Sequence, residues 1–509
     1  MNKNGLIYDV HDKPKFSKLI VFAFQQVLAI MAATIAVPTI IGLPMYIPAA
    51  LLGAGIGTIV YQLFTRFKSP VFLGSSFAFI NSLFVASVYG YLGIIVGSLF
   101  AGLVYVIIAI VIHYVGTNWI SKLMPPVIIG PTVALIGLSL AGAAMGDITK
   151  ANASVMNGSY NLVGLLCGLI AFATIVICST QKKFKMMKLI PFIIGIGVGY
   201  AAAAIFTAIG MVADVDYLKI INFQPLIDNF VAADGSFVGF TAFLNYPRFA
   251  LLEGINELGA TNITAGAILE IAIAFVPVAL VVFAEHIADH KNLSSIIGKD
   301  LIKEPGLSRT LLGDGVGSMV GTIFGICPNT TYGESVGCVA ITKNASISTI
   351  TTAAIMCIIF SFVSPLMALL RTIPSCVMGG VCLTLYGFIA VSGLKMFKDL
   401  DLGDNKNLFV VSVILISGIG GLAINIPYSA VDSSMVITIT PIATALILGI
   451  ITNSILSVID KKKGEKSEDD ASLATAAANK SLCDACVDST CEECAKCETA
   501  TTEETSKEA

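Results

Sequence analysis

Four acidic residues stand where acids are costly. Glu285, Asp289, Asp314 and Glu334 fall within or at the ends of long apolar stretches in the second half of the chain. A carboxylate at the centre of a bilayer costs roughly 2.5–3.5 kcal/mol even on lenient insertion scales, so each requires a polar partner, a water-filled cavity or a proton. Glu285 and Asp289 are spaced i, i+4 and share one helix face, where two like charges favour one group keeping a proton. Buried acids of this kind can relay protons and can accept hydrogen bonds from the N–H groups of a neutral ligand. Glu285, Asp289 and Asp314 are thus the proton-coupling candidates, although Asp289 and Asp314 would equally suit helix capping or a backbone amide near the membrane boundary. His286 follows Glu285 by one residue and points about 100° away around the helix, so a structural hydrogen bond fits it as well as a functional role. His11 and His113 read as incidental.

A second cluster with chemical capacity lies at the far end of the chain. Cys483, Cys486, Cys491, Cys494 and Cys497 form paired C-x-x-C spacings. In a reducing compartment such knuckles read as thiolate ligands, most simply four of the five around one zinc ion. The alternative is a flexible thiol-rich tail that binds metal only opportunistically, because nothing around these residues could form a core. No catalytic-metal spacing, phosphate-binding glycine loop or nucleophile elbow occurs elsewhere, which disfavours an ATP-driven machine and calls for no cofactor in transport.

The elements that position the acids follow from composition. The 509 residues are 56% hydrophobic and only 12% charged, with a mean hydropathy of +0.87. That excludes a soluble enzyme, and a net charge of −3 offers no basic footprint for nucleic acid. Apolar stretches of the length that crosses a bilayer number fourteen: 17–41, 46–65, 70–87, 91–115, 124–143, 159–180 and 187–212, then 264–290, 308–325, 329–342, 347–370, 374–394, 407–424 and 433–458. The expected fold is an all-α polytopic membrane protein. With the N-terminus inside, inner segments hold 22 Lys and Arg, against Lys150, Lys219, Arg248 and Arg371 outside. Such a bias implies an even number of spans with both termini cytoplasmic. The expected organisation is a cytoplasmic N-terminus (1–16), two seven-span halves (17–212 and 263–460), a translocated connection (213–262) and a disordered cytoplasmic tail (461–509) whose polar, acidic composition cannot form a core.

Two correspondences between the halves suggest a repeat. Pro125 to Gly130 and Pro374 to Gly379 share a Pro-x-x-x-x-Gly opening at the fifth span of each half, and an odd number of spans per half would make the repeat inverted. A chance match explains this pair as well. The third span of each half begins with Pro and is short, small and polar: Pro70-Val-Phe-Leu-Gly-Ser-Ser-Phe-Ala-Phe79 and Pro328-Asn-Thr-Thr-Tyr-Gly-Glu-Ser-Val-Gly337. Broken or extended backbone at membrane depth must be buried in protein or line a cavity, and paired interruptions point to a transporter's binding site. Two small-residue helices in close packing are the plainer alternative.

At these residues the sequence resembles the nucleobase–ascorbate transporter family, most closely its bacterial uracil permease branch, from about residue 17 to 458. The resemblance rests on Gln25-Gln26 through Thr34-Ile-Ala-Val-Pro38, Gly74-Ser-Ser-Phe-Ala-Phe79, Ala284-Glu-His286 and Pro328-Asn-Thr-Thr-Tyr-Gly-Glu334. The family signature stands as Glu334-Ser-Val-Gly337-Cys-Val-Ala-Ile-Thr342-Lys343. The resemblance implies fourteen spans in two inverted seven-span repeats, a core (spans 1–4 and 8–11) and a gate (5–7 and 12–14), and short extended strands in spans 3 and 10 with substrate held between them. It further implies proton-coupled uptake, not an enzyme, in the cell membrane as a homodimer. Glu285 and Glu334 match the two substrate-binding glutamates, Phe77 and Gly333 match backbone contacts, and Tyr332 and Ser76 line the same pocket. Three positions depart from the uracil branch: Gln26 and Asp289 stand where it has His, and Ser335 replaces the signature Asn. Asp314, in Gly-Asp-Gly, is more like the purine-carrying members, so a xanthine or purine carrier is the alternative.

Uracil would fit such a site chemically. It is flat and neutral, with two N–H donors for the carboxylates of Glu285 and Glu334 and two carbonyls for strand N–H groups at Phe77 and Gly333. An anion would be repelled, which weighs against an anion transporter or channel of related fold.

Overall fold

The computed structural model describes residues 6–42, 46–150, 160–181, 187, 190–232, 234–244, 246–257, 263–325, 327–427 and 436–460. The five tail cysteines, and any zinc they hold, lie outside these residues. The chain divides into a body of residues 1–450 and a second unit of 451–509, in which the described residues 451–460 are helical.

Nine described helices are long and apolar enough to cross a membrane: Phe16–Ile40, Ile47–Phe64, Gly90–Val115, Pro126–Ile148, Leu162–Thr180, Pro191–Ala213, Ala265–Ile297, Ser375–Lys398 and Pro441–Asp460. The protein is therefore a multi-pass membrane protein. Shorter apolar helices cover Phe77–Ser87, Ile347–Ser361 and Asn405–Ile419. Helix Leu307–Phe324 contains Asp314 and Arg309, and Gly333–Thr342 contains Glu334. Three threonines inside the spans are satisfied locally: the hydroxyls of Thr34, Thr58 and Thr132 donate to the carbonyls of Ile30, Ala54 and Ile128, four residues back. Where helices cross closely the contact residue is glycine. A Cβ on Gly393 would come within 2.2 Å of the Ala134 amide, so helix 375–395 lies against helix 126–139 as close as backbone permits.

The two Pro-led segments each carry a three-residue strand, β1 (Leu73–Ser75) and β2 (Asn329–Thr331). They pair antiparallel, with Leu73 opposite Thr331, Gly74 opposite Thr330 and Ser75 opposite Asn329. A second ladder, not anticipated from the sequence, pairs β3 (Ile424–Pro427) with β4 (Val436–Ile439). Of the span expected at 433–458, residues 433–435 lie outside the described residues, Val436–Ile439 is strand because Val-Ile-Thr-Ile is β-branched throughout, and helix follows from Pro441. The expected connection at 213–262 holds short helices at Gln224–Phe230 and Ala250–Glu257.

Candidate functional site

The β1–β2 ladder is short because each strand runs directly into a helical turn. The Tyr332 amide donates to the Phe72 carbonyl and the Ser76 amide to the Pro328 carbonyl, extending the pairing by one bond at each end. Beyond it, Phe77–Phe79 begins a helical turn after Ser76, and Gly333–Thr342 begins after Tyr332, neither with a side-chain cap. Two helix N-termini, with the unsatisfied N–H groups every helix start presents, thus flank one ladder. They form a surface of hydrogen-bond donors. Gly74 permits the construction, because a Cβ there would lie 2.3 Å from the Tyr332 ring, whose hydroxyl donates to the Ser75 carbonyl at 3.0 Å.

A cavity of about 570 Å³ adjoins this ladder. Glu285, Asp289, Glu334, Ser76, Phe77, Tyr332 and Gly333 all line it. Glu285 and Asp289 project from one face of helix Ala265–Ile297, as their spacing requires. The Thr331 hydroxyl donates to Asp289 Oδ2 at 2.8 Å, tying that carboxylate to β2 and leaving Oδ1 beside Gly333. Among the described residues, Ser76 Oγ has no hydrogen-bond partner within the protein. The floor therefore offers three carboxylates as acceptors and two helix N-termini as donors.

Asp314 is the exception among the candidates. It does not line the cavity: it is fully buried behind it. Its Oδ2 lies 2.7 Å from His286 Nδ1, and His286 Nε2 lies 3.0 Å from Thr310 Oγ1. Both ring nitrogens of His286 are thus engaged, the structural reading of that residue. His290 repeats the pattern, with Nδ1 2.8 Å from the His286 carbonyl and Nε2 2.7 Å from the Tyr61 hydroxyl. Gln26, one of the departures from the uracil branch, donates through Nε2 to Ser335 Oγ, which is another. The two altered positions are direct partners, next to Glu334.

The opposite wall was not foreseen. Val133, Ser179, Phe192, Phe388 and Ser392 come from helices 126–139, 162–180, 191–213 and 375–395. Phe77 and Tyr386 meet edge to face across the gap, with ring centroids 5.5 Å apart. Sequence carries no signal for these residues, because small and apolar side chains in apolar helices look alike whichever way they face. The cavity continues past exposed Asn292 to exposed Lys395, so it opens at the Lys-bearing ends of helices 265–297 and 375–395.

The remaining cysteines give no second site. Cys167, Cys178, Cys327, Cys338, Cys357, Cys376 and Cys382 are buried and unbridged, as expected of small core residues. Among the described residues no group of His, Cys, Asp and Glu could hold a metal.

Residues 17–426 match the family model described as Permease family. The chain is 37% identical over 456 residues to the uracil permease of Bacillus caldolyticus, covering 89% of this chain and 95% of that protein. It is 35% identical to the uracil permease of Bacillus subtilis (strain 168), over 92% and 99%, and 33% identical to that of Escherichia coli (strain K12), over 87% and 94%. Among solved structures, the transmembrane domain of the cyanobacterium bicarbonate transporter BicA aligns with a TM-score of 0.55 at 13% identity, over 87% of this chain and all of that domain. At such identity the likeness concerns fold alone.

Proposed function

The chain belongs to this permease family, and from that premise and the cavity we propose that it is a secondary transporter importing uracil across the cell membrane together with a proton. The single observation that carries the reading is a ladder flanked by two helix N-termini and lined by three carboxylates. Glu285 and Glu334 accept the two uracil N–H groups, while N–H groups at Phe77 and Gly333 donate to its carbonyls. Ser76 and Tyr332 complete the pocket. Three carboxylates around one cavity disfavour an anionic substrate, whatever the fold shares with anion carriers. The relatives are named permeases, which supports a carrier rather than an enzyme.

Coupling is assigned to Glu285 and Asp289, the acids that face the cavity four residues apart. Asp314, committed to His286, acts behind them as a structural partner. The accompanying architecture is fourteen crossings in two inverted repeats, 17–212 and 263–460, with both termini cytoplasmic. The wall containing Ser76, Glu285 and Glu334 belongs to a core and the facing wall to a gate, the molecule pairing as a homodimer. Zinc in the tail remains an independent proposal, tested by metal analysis of the purified chain.

Direct binding of labelled uracil to purified protein, in competition with xanthine, hypoxanthine and thymine, tests the substrate. Uracil is expected to compete best. A preference for xanthine would move the assignment to the purine carriers.

A further inference from the structure

Residues 6–12 precede the first helix, yet they are built into the site's far side. They lie along the bend 343–347, with Tyr8 bridged in parallel to Asn344. The Lys343 carbonyl accepts from the amides of Ile7 at 2.8 Å and Tyr8 at 3.4 Å. In return the Tyr8 carbonyl accepts from the Ala345 amide at 3.0 Å and the Val10 carbonyl from the Ile347 amide at 2.9 Å. The Ser346 hydroxyl donates to the Asp12 carbonyl at 2.6 Å. Lys343 closes the Glu334 helix in left-handed backbone, φ 57°, and Ile347 opens the next helix. The Lys343 carbonyl at one helix end and the Ile347 amide at the next helix start lack partners within their own helices, and the strap supplies them.

The strap's side chains reach the other site elements. Leu6 and Val10 are each 1% exposed and share one apolar cluster with Leu73 of β1, Leu293 of the Glu285 helix and Val336 of the Glu334 helix. Lys299, two residues past the Glu285 helix, donates to both oxygens of Asp9, at 2.9 and 2.8 Å. One seven-residue segment thus packs with β1, the Glu285 helix and the Glu334 helix. The Glu334 helix has only 10 residues, shorter than a helix that holds its shape unaided. Its first turn is fixed by β2 and its last by the strap.

We propose that residues 6–12 are a clasp that sets the position of Glu334 relative to Glu285, and through it the affinity of the cavity for its N–H-bearing ligand. As to ligand, this rests on the uracil reading above. Release of the clasp removes no cavity-lining residue but loosens the helix that presents Glu334.

The test compares the full chain with a deletion of residues 2–12, with Val10→Asp and with the conservative Val10→Ile, all purified from the membrane. Hydrogen exchange is read at the amides of residues 335–347, and labelled uracil binding is measured alongside. Deletion and Val10→Asp are expected to raise exchange from Ser335 to Ile347 and to weaken uracil binding at least fivefold. Val10→Ile is expected to leave both unchanged. If Val10→Asp fails to fold, the deletion variant decides, since it introduces no buried charge. Unchanged exchange, or raised exchange with unchanged affinity, overturns the clasp. If the unaltered protein binds no uracil, the substrate reading falls instead, and exchange at 335–339 alone then decides whether the strap positions Glu334.

Discussion

Individual side chains were the most legible level, for an energetic reason. An acid in an apolar span must be accounted for by something, so Glu285, Asp289 and Glu334 stood out, and all three line one cavity. Asp314 does not line that cavity; its partner is His286, 28 residues away in the chain, a contact that nothing in spacing reveals. Two predictions belong at this scale. Glu285→Gln keeps the size of the side chain but removes its charge and exchangeable proton, so proton-driven uracil accumulation should be abolished while the protein still reaches the membrane. Wild-type accumulation by this variant would remove Glu285 from the coupling path. Glu334→Gln places an amide donor where the ligand presents its own N–H; an unsatisfied buried polar group costs roughly 1–3 kcal/mol, so uracil affinity should fall about ten- to a hundredfold. Equal affinity, measured on purified folded protein, would mean that Glu334 does not face the ligand.

Elements were legible where physics forbids the ordinary choice. Pro, small and polar residues at 70–79 and 328–337 are poor material for a lipid-facing helix, and these segments hold β1 and β2. The β3–β4 ladder escaped notice because an apolar count cannot tell Val436-Ile-Thr-Ile439 from the helix that follows; only the β-branched composition distinguishes it. The cavity's second wall escaped for a related reason, as a nearly uniform apolar helix does not declare its facing side. Gly74 is the element-scale test. A methyl group there would lie 2.3 Å from the Tyr332 ring, so Gly74→Ala must displace Tyr332 or the strand, at about 1–3 kcal/mol. Uracil binding should weaken at least tenfold, with a lowered melting temperature. A variant that binds uracil as the unaltered protein does would show that the ladder tolerates the displacement and that its register does not shape the site.

At the scale of the whole molecule, composition alone identified a multi-pass membrane protein, and nine described helices have the length and apolarity to cross. The tail is separable by the same argument: truncation after Lys463 removes all five clustered cysteines and none of those helices. Uptake should persist and any bound zinc should disappear. Loss of transport in a truncated chain that reaches the membrane would give the tail a regulatory or structural part. The central claim is that movement of a neutral base is driven by a proton through the carboxylate-lined cavity. It is tested most directly by labelled uracil uptake into proteoliposomes containing the purified protein, with and without an inward proton gradient. The account predicts uphill accumulation of chemically unchanged uracil that collapses on adding a protonophore and is absent with Glu285→Gln. Equilibration of uracil to equal concentrations, indifferent to the gradient, would contradict it.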